Sequence, residues 1–230
     1  MVEFLQSIPL FPVLLTLGSY QAGLWCQKKW QHPLCNPLLI ATALSIAVLA
    51  LTGFDPALYQ TGTVSISWLL TPATVCLAVP LYEQLKVLKG HLPAIGAGIA
   101  AGALTALVSV LLLSRLFRLE DAVTVSLLPK SITTAIALPL TQQNGGITGL
   151  TTFAIVITGI LGNLSGSTLC KILKITDPIA RGVAFGTSAH AIGTSRAMEI
   201  DPLTGAVSSL SLAVAGIFTA IIFPFVCMLL

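Results

Sequence analysis

Lys130 is the residue whose placement asks most for a chemical explanation. It stands in LLPKSITTAIALPLTQQNGG (127–146), and counting 122–143 as one segment buries it well inside an apolar layer. A charge at that depth costs about 2.5–3.5 kcal/mol on insertion scales, and such residues usually face a cavity and mark a pathway. Pro129 marks a chain break just before it. Ser131, Thr133 and Thr134 follow, so their hydroxyls and the first N–H groups of the next half-helix surround the ammonium. A positive dipole end, unpaired N–H groups, hydroxyls and a cation make an anion site. The competing reading is a lysine that snorkels to an interface while Ser and Thr bond back to their own helix. Apolar sequence on both sides of Lys130 favours the anion site. Asn144, Gly145 and Gly146 close the segment and read as a left-handed helix stop and turn. Lining a substrate path is a secondary role for these glycines.

A second polar island is ARGVAFGTSAHAIGTSRAMEID (180–201), with Thr187, Ser188, His190, Thr194 and Arg196 as candidate site residues. On one continuous helix, Gly186, His190, Gly193, Thr194 and Ala197 fall along a single face. Such a small-residue face with one imidazole suits a translocation surface or close helix packing, with Gly186 and Gly193 as points where the helix breaks. A lone His reads equally as a buried, hydrogen-bonded residue or as a proton-coupling group. Arg196 and Glu199, at i and i+3, are placed to pair. Ser188 and His190 are two apart and point to different sides of a helix, and no nucleophile elbow, zinc-protease motif or phosphate loop occurs. An enzyme or an ATP-driven pump is therefore not expected, and no cofactor or metal is implied.

The elements that position these residues follow from composition. Of 230 residues 55% are hydrophobic and only 8% charged, against about 25% charged in a soluble domain. Residues 4–27, 30–54, 56–82, 90–114, 131–170 and 202–230 carry no charge, and each run is long enough to cross a ~30 Å hydrocarbon core as a helix. A soluble enzyme and a nucleic-acid binder are excluded, and the runs are too long for barrel strands. Glu3 stands where a signal peptide would be basic, so no cleavable signal is expected. The five cysteines lack paired spacing and read as apolar packers.

The expected architecture is all-α and polytopic, with seven or eight membrane segments at about 5–25, 36–53, 63–85, 92–116, 121–142, 147–170, 178–200 and 204–230. Residues 1–62 read as scaffold helices, and 63–230 as a core with broken helices at 63–85, 121–142 and 178–200. A cap residue followed by Pro marks helix starts at Asn36-Pro37, Asp55-Pro56, Thr71-Pro72, Asp177-Pro178 and Asp201-Pro202. Thr71 and Pro72 lie inside an uncharged run, which predicts an interrupted helix there. Gly98-x-x-x-Gly102 and Gly162-x-x-x-Gly166 predict close helix packing. Lys28/Lys29, Lys86/Lys89 and Lys171/Lys174 should share the cytoplasmic side. The last two pairs agree only if 121–142 enters and returns on one side, or if one pair breaks the rule. Residues 69–84 align without gaps on 128–143 with Leu69, Thr74, Ala78, Pro80, Leu81 and Gln84 matching, a weak internal repeat. Interrupted segments at corresponding positions point to a transporter site built from inverted repeats.

The strings NPLLIA (36–41), TPATVCLAVPLYEQL (71–85), LLPKSITTAIA (127–137) and GTSAHAIGTSRAMEIDPLTGAVSSLSLAVAGIFTAIIFP (186–224) resemble the LrgB/CidB family of bacterial membrane proteins. One departure is Ala135, where the family commonly has Pro, which implies a softer local kink. The resemblance implies a multi-pass protein of the bacterial cytoplasmic membrane, related to plastid proteins that exchange glycolate and glycerate and to bacterial ones linked to pyruvate and similar monocarboxylates. It equally implies the older assignment, holin- or antiholin-like regulation of murein hydrolase activity and lysis with a small LrgA/CidA-type membrane partner. On the carrier reading, Lys130 neutralises a small carboxylate. Ser131, Thr133, Thr134, Thr187, Ser188 and Thr194 surround it, and His190 or Arg196 couples protons or adds positive charge. The expected partners are that substrate, membrane lipid and a second copy in a homodimer, with no nucleic acid.

Overall fold

In the computed structural model, residues 8, 10–30, 37–69, 72, 75–76 and 78–230 are described. They are helical, as α1 Phe11–Trp30, α2 Pro37–Thr52, α3 Pro56–Gly62, α4 Val64–Trp68, α5 Ala78–Glu83, α6 Leu85–Leu116, α7 Asp121–Leu127, α8 Thr134–Gln143, α9 Thr148–Ile172, α10 Pro178–Ile200 and α11 Pro202–Cys227. Among the described residues, α6, α9 and α11 are long and apolar enough to cross a membrane, and α2 is a shorter apolar helix. The chain divides after residue 76 into two compact units.

In the first unit α1 packs closely on α2: a side chain at Gly23 would strike the Pro37 carbonyl oxygen at 2.6 Å. The Phe11 and Phe54 rings lie 5.1 Å apart, and the Thr16 and Tyr59 hydroxyls share a 2.7 Å hydrogen bond. Lys29 lies over the Trp25 and Trp30 rings. The Asp55 carboxylate accepts from the Ala57 N–H and caps α3, with Pro56 at the first helical position. Asn36 and Thr71, two other expected caps, lie outside the described residues; α2 does begin at Pro37, and Pro72 is exposed. Most of the break expected around Thr71 falls outside the described residues too.

In the second unit, α6 begins at Leu85, seven residues before the expected 92. Lys86, Lys89 and His91 had the composition of a loop, but an exposed helix end carries such residues without penalty. Pro93 sits inside this helix and removes one backbone donor. Asp177 and Asp201 cap α10 and α11 through the N–H groups of Ala180, Leu203 and Thr204, each with Pro next in sequence.

Two segments reverse direction. In a straight helix Ser126 and Thr141 would be about 22 Å apart. Here the Thr151 hydroxyl touches both, donating to the Ser126 carbonyl at 2.9 Å and lying 3.0 Å from the Thr141 hydroxyl. So α7 and α8 form a hairpin that turns through the non-helical residues 128–133. The expected single helix face across 178–200 is also overturned. Ala189 and His190 leave helical geometry, His190 with φ +42°. A side chain at Gly193 would meet the Phe185 carbonyl oxygen at 3.0 Å, although eight helical residues span about 12 Å. Phe185 and Ala197 share one buried cluster with Cys170. Thus α10 is two antiparallel half-helices, 178–188 and 191–200. The reversal falls between Gly186 and Gly193 rather than at either glycine, because both are occupied in packing.

The first half of α10 is the hub of this unit. Gly98 and Gly102 of α6 face Val183 and Thr187, in parallel order. Gly159, Gly162 and Gly166 of α9 face His190, Ala189 and Phe185, in antiparallel order. Gly182 and Gly186 sit against Thr204, Val207, Ser208 and Ser211 of α11. Both small-residue motifs therefore serve close packing, as expected. This order puts Lys86 and Lys89 at the same end of the unit as Lys171 and Lys174, because α7 and α8 return to the end from which they started.

Candidate functional site

The two reversals meet at one place on α9. At the first tip, Ile132 packs with Ala137 and Ile155. At the second, the His190 imidazole lies 2.9 Å from the Ile155 carbonyl. A carbonyl only accepts, so His190 Nε2 donates and carries the proton. A side chain at Gly159 would meet the same imidazole at 2.7 Å. Ile155 thus touches one tip with its side chain and the other with its backbone. It lies about 10 Å from the start of a helix about 37 Å long, with Gly159 close to the middle.

The hairpins reach this point from opposite ends of α9. The base of the first is tied near the start of α9, where the Ile147 N–H donates to the Ser126 hydroxyl at 2.7 Å. The base of the second is tied beyond the end of α9, where Arg181 Nε donates to the Ile175 carbonyl at 2.8 Å. Asn163 Nδ2 adds a bond to the Ile192 carbonyl at 3.0 Å, holding the second half of α10 to α9.

Lys130 is half-buried in the first tip, with Nζ 3.3 Å from the Ser131 hydroxyl; Ser131 is buried, and so is Pro129. Thr133 occupies the N-cap position of α8 in extended conformation, but its hydroxyl makes no capping bond. Among the described residues, the N–H groups of Thr133, Thr134 and Ala135 find no acceptor, the expected condition of a helix start. At this tip Lys130 and Ser131 are therefore in contact, and the Thr133 hydroxyl and the free N–H groups that open α8 follow directly in the chain. Asn144, Gly145 and Gly146 form the turn into α9. Asn144 Nδ2 donates to the Leu140 carbonyl, and Gly145 takes φ +77°. A side chain at Gly146 would strike Thr141 at 2.6 Å.

The residues of the second island are divided. The buried Thr194 hydroxyl donates to the His190 carbonyl at 2.9 Å and shares a 2.8 Å bond with the Ser208 hydroxyl of α11. Thr187 is buried against Gly102 and bonds the Val183 carbonyl, whereas Ser188 is exposed and bonds the Ala184 carbonyl. Arg196 lies along the outgoing half-helix, where it pairs with Glu199 at 2.6 Å and donates to the Ser167 hydroxyl at 3.3 Å. It is not brought to the tip.

Sequence reasoning missed the hydroxyls that tie the first hairpin, namely Ser126, Thr141 and Thr151. It also missed Ser208 and Ser211 and the role of Ile155. A signal was present for the hydroxyls: Ser and Thr spaced inside apolar helices need acceptors where there is no water. For Ile155 there was none, since its carbonyl is what matters.

The family model described as LrgB-like family matches residues 16–229. The chain is 36% identical over 217 residues to a Bacillus subtilis (strain 168) protein named antiholin-like protein LrgB, covering 94% of each. No solved structure matches.

Proposed function

The chain belongs to the LrgB-like family of membrane proteins, and we propose that it is a secondary carrier for a small monocarboxylate of the glycolate, glycerate or pyruvate type. The supporting observation is the meeting of two helical hairpins, entering from opposite ends, beside Ile155 on a membrane-length helix. In a bilayer both would be re-entrant, an inverted arrangement that puts half-helix ends near the membrane interior. Non-helical backbone at that depth requires a cavity or protein burial around it. Lys130 would balance the carboxylate charge, with Ser131, Thr133, Thr134 and the first N–H groups of α8 as donors. His190 holds the second tip in place. Thr187, Ser188 and Arg196 bond elsewhere and take secondary roles.

The charge distribution supports the orientation. Lys86, Lys89, Lys171, Lys174 and Arg181 gather at one end, against Arg115 and Arg118 at the other. The first end faces the cytoplasm of a bacterium by the positive-inside rule. The name of the Bacillus subtilis relative favours a second reading, an antiholin-like regulator that acts by oligomerising, with a small LrgA/CidA-type partner. That activity needs helix faces rather than an ammonium at a hairpin tip.

The test is flux into proteoliposomes of labelled glycolate, glycerate, lactate and pyruvate. The wild-type protein should carry at least one of them. Lys130→Met should abolish that flux while the protein still inserts. Wild-type flux in the variant would sink the proposed site, and no flux of any of the four would favour the regulator.

A further inference from the structure

The seam between α10 and α11 carries buried hydroxyls that the anion site does not use. Thr194, Ser208 and Ser211 are fully buried. Thr194 donates its one hydroxyl hydrogen to the His190 carbonyl at the reversal, so in the bond they share Ser208 donates to Thr194. The Ser208 oxygen therefore keeps its lone pairs to spare. Ser211, one helical turn further on, is buried with no hydrogen-bond partner. Leaving a buried hydroxyl unpaired is destabilising, so an unpaired one in a polar seam calls for a ligand. A side chain at Gly186 would contact the Ser208 carbonyl oxygen at 2.4 Å and the Ser211 Cβ at 2.7 Å. The last turn of the half-helix 178–188 thus packs against this stretch of α11, and the carbonyl end of that half-helix is the negative pole of its dipole.

We infer that Ser208, Ser211, Thr194 and the carbonyls at the α10 reversal form a binding site for a small monovalent cation, sodium. Every ligand is an oxygen, which selects a hard cation. None of them is a carboxylate, whereas calcium and magnesium sites are normally built on carboxylates. Glu199 and Asp201, the nearest in sequence, are engaged with Arg196 and Thr204. Unwound carbonyls and half-helix C-termini hold coupling cations in other carriers. The cation site stands apart from the carrier reading. If both hold, an anion at the first tip and a cation behind the second favour each other electrostatically.

The test is binding of radiolabelled sodium to the purified full-length protein in nanodiscs, with carboxylate flux measured in parallel. Saturable sodium binding is expected, resisted by a tenfold excess of potassium and weakened at least tenfold in Ser208→Ala and in Ser211→Ala. Ser209→Ala is the control for hydroxyl loss on the same helix, because Ser209 bonds only the Gly205 carbonyl, and it should bind as the wild type does. Absence of saturable binding in the wild type, equal displacement by potassium, or full binding in both variants would each overturn the site. Sodium binding without carboxylate flux would keep the site and sink the carrier reading; flux without sodium binding would do the reverse.

Discussion

Gly162→Ala tests the meeting of the second hairpin with α9. The added methyl would lie 2.2 Å from the Ala189 Cβ, and carbon atoms prefer about 3.5–4.0 Å. The two backbones must therefore separate by well over an ångström, or the reversal must twist. Ala189 is next to His190, whose 2.9 Å bond to Ile155 would stretch past the hydrogen-bonding limit with that movement. Overpacking costs about 1–3 kcal/mol, and stranding a buried donor and acceptor costs about 1–3 kcal/mol more. Ala gains at most about 1 kcal/mol over Gly by helix propensity, so a net loss of about 1–5 kcal/mol is expected. Gly96→Ala is the internal comparison: it lies in α6 with no atom within 4 Å of the added methyl, so it should be neutral or up to about 1 kcal/mol stabilising. The clash is confined to one partner atom, which makes it reversible. Gly162→Ala with Ala189→Gly removes it and should recover most of the loss, a coupling of the kind double-mutant cycles detect. Denaturant unfolding in mild detergent, followed by circular dichroism, measures all four proteins. Equal stability of Gly162→Ala and Gly96→Ala, or a double variant no better than the single, would refute the close approach.

Other consequences are as direct. Thr151→Val removes the hydroxyl that spans the first hairpin, leaving the Ser126 carbonyl and Thr141 without that partner; a loss of about 1–3 kcal/mol is expected in the same unfolding assay, and an unchanged midpoint would count against the fold-back of α7 and α8. Asp201→Ala removes the α11 cap and should cost about 1 kcal/mol at neutral pH. Burial alone would raise the Asp201 carboxyl, but hydrogen bonds from the Thr204 hydroxyl and the N–H groups of Thr204 and Leu203, with the Arg181 charge, outweigh it and hold it below the ordinary range. Its contribution is therefore full above the ordinary carboxylate pKa and is lost as pH falls through the depressed value. Acidification from pH 6 to 3 should narrow the stability gap between wild type and Asp201→Ala, and a gap that widens would contradict the assignment.

Much of this arrangement was legible in the sequence because its signals are local. Asp followed by Pro marks a cap wherever it occurs, and Asp55, Asp177 and Asp201 all cap helices. The break at Pro129 follows from one proline, and the return of 121–142 to its starting side was one of the two ways to reconcile the lysine pairs. For α10 a broken helix over 178–200 was expected, with Gly186 and Gly193 as the breaks, but the turning point itself was not legible. That point, Ala189–His190, contains neither Gly nor Pro. Small residues on α9 and α11, distant in sequence, let the two half-helices lie side by side. The same limit hid Ser208 and Ser211, whose neighbours across the seam are set only by the fold.

Ile155 has a consequence for how the protein can vary. Its link to the first hairpin is a side chain, open to any codon change. Its link to the second is a main-chain oxygen, present whatever residue is encoded there. Proline apart, which would kink α9, mutation at this position can loosen one tip and leave the other fastened but not do the opposite. Asymmetry of this kind would show in a saturation library at codon 155 as a spectrum of defects confined to the Lys130 hairpin.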